Sequence, residues 1–242
     1  MALKINSKTK INISESIQKD YEQLWKDISG DFLTGGTVPV LRADAEPGKG
    51  IPYIEISDRI TVSSPILFVG MNPSGADVKS YSGNSLPVFI YEGNSSFYQA
   101  MDKFAKECLT GIINNPYYSE LDLFGIVQGN QSVVQKHLKG NVKPYDKMFN
   151  MFINNLVRVN PKVVVVANGF ASKIVKKELS LKFGSYGRYE LSLNPQFGGY
   201  NLNIDNNTFQ VYFSTMLSGG HLDNGSRENL VWLVRNYLSN NP

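Results

Sequence analysis

The sequence is poor in the residues that most often carry chemistry alone. It has one cysteine, Cys108, and two histidines, His137 and His221. One cysteine builds no disulfide framework, iron–sulfur cluster or thiolate zinc site. Cys108 reads as a small buried apolar residue. Two histidines leave no multi-His metal site and little choice of base for a nucleophilic triad. Charged residues make up 19% and the net charge is +3, a mild excess that permits nucleic-acid contact without arguing for it. No apolar run approaches the ~18 residues needed to span a bilayer. The N-terminal Met-Ala-Leu-Lys-Ile-Asn-Ser-Lys-Thr-Lys has charge without an apolar core, so it does not read as a signal peptide. With a free thiol, that leads to the expectation of a cytoplasmic monomer without membrane, metal or cofactor. No Walker loop, G-x-G-x-x-G or G-x-S-x-G elbow follows any strand-like run.

What is present is a globular composition, 42% hydrophobic over 242 residues, enough to bury a core. Residues 14–29 have helical spacing through Ile17, Tyr21, Leu24, Trp25 and Ile28. Residues 35–50 read as loop, and 51–60 as an extended edge segment. Pro65–Gly70 and Lys162–Ala167 are continuous apolar runs, as expected of strands covered on both faces. Leu121–Ile126 is a shorter strand, and Phe209–Leu217 is read as the last. Helices are expected from Ser95 or Ser96 to Cys108, over 144–159, over 170–178, and from Ser226, as cap, to Leu238. Residues 75–95 form a long loop. Residues 187–213 alternate polar and apolar and read as a β-hairpin or meander.

Strands alternating with helices imply parallel βαβ units. The expectation is one α/β domain over 1–242, with an N-terminal helical extension over about 1–50 and a β insertion over about 187–213. In such sheets ligands bind beyond the carboxyl ends of the strands. Three strand ends carry polar or glycine residues: Gly70-Met71-Asn72-Pro73-Ser74, Asp122 within Leu-Asp-Leu-Phe, and Ser218-Gly219-Gly220-His221-Leu222. Each has a plain structural explanation as well. Asn72 before Pro73 is a turn former, Asp122 is placed to cap a helix, and His221 suits an exposed loop. Phe97, Tyr98 and Phe124 suit a core, and Lys173, Lys176 and Lys177 suit a solvated helix face.

The segment ILFVGMNPSG resembles the first motif of the uracil-DNA glycosylase superfamily, closest to the mismatch-specific and single-strand-selective branches with Gly-x-Asn-Pro. LDLFGI is similar to its base-reading strand. INNLVRVNPKVVVVANGFA is similar to its helix–Pro-Lys–buried strand–Gly–helix segment. FSTMLSGGHLDNGSRENLVWLVRNYL is similar to its second motif loop and closing helix. The resemblance runs from about residue 60 to 238, in order.

It implies a three-layer fold with a central four-stranded parallel sheet flanked by helices. It also implies a metal-independent DNA glycosylase of base-excision repair. In that family, Asn72 would orient a water and His221 would stabilise the leaving base. Gly70, Met71, Pro73, Ser74, Asp122, Phe124 and Ser218 would bind the base, and Gly219, Gly220 and Leu222 the DNA. Two departures stand out. The family's second motif usually contains His-Pro-Ser; here Ser-Gly-Gly-His-Leu replaces it. One register puts Ser218 at the family histidine and Leu222 at the wedge leucine; the other keeps His221 in the histidine role and loses the wedge. Asp122 stands where Asn is frequent, and a carboxylate accepts from uracil N3–H but has no donor for O4. The other readings are a non-catalytic nucleic-acid or nucleobase-binding protein of the same fold, and an unrelated α/β enzyme acting on a small ligand at the same strand ends.

Overall fold

The computed structural model describes residues 16, 19–20, 23–24, 27, 56–57, 62–72, 88–89, 96–114, 116–125, 131–132, 134–135, 142–180 and 189–241. Pro73, Ser74, His137 and most of the 75–95 loop lie outside them. In chain order the strands are β1 (Ile56–Ser57), β2 (Ile66–Gly70), β3 (Val88–Phe89), β4 (Ser119–Asp122), β5 (Val163–Ala167), β6 (Tyr189–Leu193), β7 (Tyr200–Ile204) and β8 (Asn207–Ser214). The longer helices are α1 (Ser96–Leu109), α2 (Val142–Val159), α3 (Gly169–Ser180) and α4 (Asn224–Asn240).

Every residue of β2 and β5 is buried, the environment their unbroken apolar runs require. They sit at the centre of a sheet ordered β4-β2-β5-β8-β7-β6. The β4–β2, β2–β5 and β5–β8 pairs are parallel, and β7 and β6 continue antiparallel from β8. The sheet therefore has six strands, where four were expected. The segment expected as an insertion extends the sheet instead. β8 is buried over Phe209–Tyr212, and an unpaired edge there would strand its backbone donors and acceptors. The β6–β7 hairpin supplies that ladder.

Alternation along the strands sorts the core into two layers. Leu67, Val69, Leu121, Val164, Val166 and Val211 face one way, toward Phe149, Phe152 and Leu156 of α2 and Ala171 and Val175 of α3. Ile66, Phe68, Val163, Val165 and Tyr212 face the other, toward Met101, Phe104 and Cys108 of α1 and Leu230, Val234 and Leu238 of α4. The result is helices, sheet, helices. Each fully buried Val, Leu or Phe contributes about 1.5–3 kcal/mol. Among them Cys108 is inert as a nucleophile, because burial pushes its thiol up to about 12.

Polar contacts fix how α4 lies on α1. Arg235 Nη1 donates to Glu107 O (2.6 Å) and Thr110 O (3.0 Å) at the C-terminal end of α1. Arg227 pairs with the Glu107 carboxylate at 2.7 Å. The cap of α4 is Asp223, not Ser226: the Asp223 carboxylate accepts from Ser226 N at 2.9 Å and from Ser226 Oγ at 2.6 Å. Ser226 is the third residue of the helix, the usual donor to a cap. In the N-terminal segment, residues 16, 19, 20, 23, 24 and 27 are helical. Leu24 packs into the α2–α3 layer, and Asp20 and Asp27 pair with Arg158 and Lys147 of α2.

Candidate functional site

Parallel pairing carries the ends of four strands to one edge of the sheet. Gly70 of β2 pairs in register with Asp122 of β4, and Ala167 of β5 with Ser214 of β8. At about 4.8 Å per strand, the β4 and β2 ends are neighbours, while the β8 end lies roughly 10 Å from β2, across β5.

Asp122 and Gly70 fit each other at atomic range. A Cβ on Gly70 would lie 2.1 Å from Asp122 Oδ1, so only glycine lets the carboxyl lie across the neighbouring strand. Asp122 is part-buried at the strand end, and burial pushes its carboxyl from 3.8 up to about 7. Desolvation is the cause: an ion with little water around it is disfavoured. Asp122 ends β4, which begins two residues earlier than the apolar run suggests and stops at the aspartate. The next two residues lean on the end of β2, with Leu123 N donating to Gly70 O (3.2 Å) and Phe124 N to Met71 O (3.1 Å).

Those bonds hold Gly70, Met71 and Asn72 against β4. Asn72 is 9% exposed and Met71 is 1% exposed; Met71 belongs to the core on the α2–α3 side. The Phe124 ring is fully enclosed and packs 5.4 Å from the Tyr145 ring. A ring so enclosed offers no face to a base, so Phe124 serves the site through its backbone and by packing. Phe97 and Tyr98, in the first turn of α1, are half-buried against the α1–α4 core and meet edge to face at 5.3 Å.

At the end of β5 the structure adds residues that the sequence reading passed over. Asn168 caps α3, accepting from Phe170 N (2.9 Å) and Ala171 N (3.0 Å), and its Nδ2 donates to Gln131 Oε1 at 3.2 Å. Phe170 is 39% exposed beside it. The signal was present: Ala167-Asn168-Gly169 puts an amide just past a buried strand, as Gly70-Met71-Asn72 does. Lys173 lies over the Phe170 ring and Lys176 over Phe213, at 5.9 and 4.6 Å, so both flank this edge.

The loop after β8 is more open. Gly219 and Gly220 have φ of +68° and +71°, a conformation that favours glycine. His221 is exposed, and its ring folds back onto Gly219, whose Cβ would lie 3.3 Å from His221 Cδ2. Thr215 Oγ1 donates to His221 O at 2.8 Å. Leu222 is half-buried against the α1–α4 core, and Ser218 is half-buried.

The edge thus offers two amides and a carboxyl in or near the protein interior, with one imidazole on an open loop. Such groups can orient a water and hydrogen-bond a flat polar ring. Among the described residues no group of three His, Cys, Asp or Glu is placed to hold a metal ion, and no helix is long and apolar enough to cross a membrane. Compared with known proteins, the chain matches no protein-family model and no curated protein.

Proposed function

We propose that the chain is a DNA glycosylase that removes a uracil-like damaged or deaminated base, with its site at the joined ends of β2 and β4. One observation carries this reading. Asn72 and Asp122, drawn from separate motifs, are brought to adjacent strand ends by the Gly70–Asp122 register. The order of motifs along the chain and the four mutually parallel strands between helix layers support it.

The chemistry adds water across the N-glycosidic bond. The bond from sugar C1′ to the base nitrogen breaks, its electron pair leaves with the base, water oxygen bonds to C1′, and a water proton ends on the base. An amide cannot act as a strong base, so Asn72 orients the water. Asp122 holds the base edge. His221 donates to the base oxygen on which negative charge grows, an interaction that counts because it strengthens in the transition state. The nucleotide must leave the stack to reach these groups.

The exposed His221 ring, folded onto Gly219, favours a second reading in which the site binds a nucleobase without cleaving it. One experiment separates the two. Single-stranded and mismatched DNA containing uracil, hydroxymethyluracil, hypoxanthine or xanthine is incubated with stoichiometric protein. Abasic product from at least one supports the glycosylase; binding without product from any supports the binder. Bound DNA should also dissociate with salt, log K falling by ~0.9 per phosphate contact per log unit on duplex and ~0.7 on single strands.

A further inference from the structure

We propose that Asp122 determines ligand class as a neutral carboxyl, presenting an O–H donor beside a C=O acceptor to a ring edge that carries an N–H next to a carbonyl, and that loss of its proton closes the site to such rings. The inference rests on the strand-end site proposed above and does not need that site to be catalytic.

The geometry sets the protonation. The carboxyl lies across Gly70, in the place a side chain would take. The described elements packed against β4 are β2, β1 and α2. β2 and β1 contain no ionisable residue. The charged residues of α2 are Lys143, Asp146, Lys147 and Arg158, and α2 packs on the opposite face, with Leu121 and Leu123. On the Asp122 face, the nearest acid along the strand is Glu120, two residues earlier and 3% exposed. α1 brings Asp102, which accepts from Tyr118 Oη at 2.9 Å, with Lys103, Lys106 and Glu107. The Arg227 and Arg235 guanidiniums of α4 are both turned to Glu107. No Lys, Arg or His of the described residues pairs with Asp122. A carboxylate in such a place has little water and, among the described residues, no counter-charge, whereas a carboxylic acid needs neither. Its elevated pKa, about 7, agrees.

The consequence reverses what the residue type suggests. An ionised carboxylate accepts from N3–H of uracil and meets O4 as an unpaired acceptor. A protonated one accepts from N3–H and donates to O4 together. The same edge occurs in hypoxanthine and xanthine. Because only the protonated fraction binds, apparent affinity follows that fraction.

The test uses free uracil and the full chain, with binding followed by calorimetry or NMR. Uracil affinity should fall about tenfold between about pH 6 and about pH 8, as the protonated fraction falls. 1,3-Dimethyluracil, which has no ring N–H, should bind at neither pH. In Asp122→Asn, whose amide keeps donor and acceptor at any pH, the ratio of affinities at the two pH values should drop to about one. Equal uracil affinity at both pH values in the natural chain overturns the proposal. So does a pH dependence that persists in Asp122→Asn, or no uracil binding at either pH. If uracil binds with the expected pH dependence but no DNA substrate yields an abasic site, the glycosylase reading falls and this one stands.

Discussion

Two strand ends on the same edge of the sheet are built differently. At the end of β2 and β4, backbone bonds from Leu123 and Phe124 clamp Gly70 and Met71, and Asp122 is fitted across Gly70 so closely that a methyl group has no room. At the end of β8, two glycines turn the chain, and His221 stands exposed against its own loop. The first end is preorganised and poor in water, which is where hydrogen bonds discriminate best, since a mismatched ligand leaves a buried polar group unpaired. The second is open, which suits a group that meets its ligand only after the ligand has arrived. The comparison assigns recognition to β2–β4 and the later, charge-stabilising contact to the β8 loop.

The largest effect expected from this division is on turnover. Asn72→Ala should lower single-turnover base release by on the order of 1000-fold, with a melting temperature near that of the natural chain. Unfolding on substitution, with activity kept in the folded fraction, would make Asn72 a turn former and break the comparison. His221→Ala should lower turnover on the order of 100-fold and change stability by less than about 0.5 kcal/mol, because the ring is exposed. Leu222→Ala should do the reverse, costing about 1 kcal/mol of stability from lost packing while single-strand activity holds. If Leu222→Ala instead loses activity on duplex only and His221→Ala is silent, Leu222 is the wedge and the other register holds.

Much of the scaffold was legible in the residues, and the reasons for the gaps are physical. The β2 and β5 runs announce themselves because a strand covered on both faces needs no polar positions. β4 was placed two residues late because Ser119 and Glu120 are polar yet buried, which periodicity cannot signal. The 187–213 hairpin was visible in its alternation, but alternation does not say which edge it will join. Asn72 and Asp122 were legible as candidates, since polar residues at the ends of apolar runs are conspicuous. The protonation of Asp122 was not, because it depends on what lies around the carboxyl and not on the residue itself. Asn168 lies within the segment INNLVRVNPKVVVVANGFA, but an amide between a buried strand and a helix reads there as a helix cap and no more.

Smaller effects sharpen the β2–β4 end itself. Gly70→Ala should push the Asp122 carboxyl aside, weaken uracil binding and cost about 1–3 kcal/mol of stability through overpacking. Unchanged stability would mean that the carboxyl has another place to go. Asp122 should also leave a mark on the pH dependence of folding. Its folded pKa is raised, so the native state holds its proton more tightly than the unfolded chain. Its contribution is therefore fully present below the ordinary value of 3.8 and is lost as pH rises through about 7. Asp122→Asn should be more stable than the natural chain above that window, by up to about 4 kcal/mol, and the gap should close toward acid. Denaturant melts of both proteins across the window check the sign.

The most direct measurement is an NMR titration of the isotopically labelled chain with uracil under mildly acidic conditions, following every backbone amide. The account predicts that the largest shifts cluster at Gly70, Met71, Asn72, Asp122 and Leu123, with smaller ones at His221 and little at the β6–β7 hairpin. Shifts centred away from the β2–β4 end, or none at saturating uracil, would contradict it.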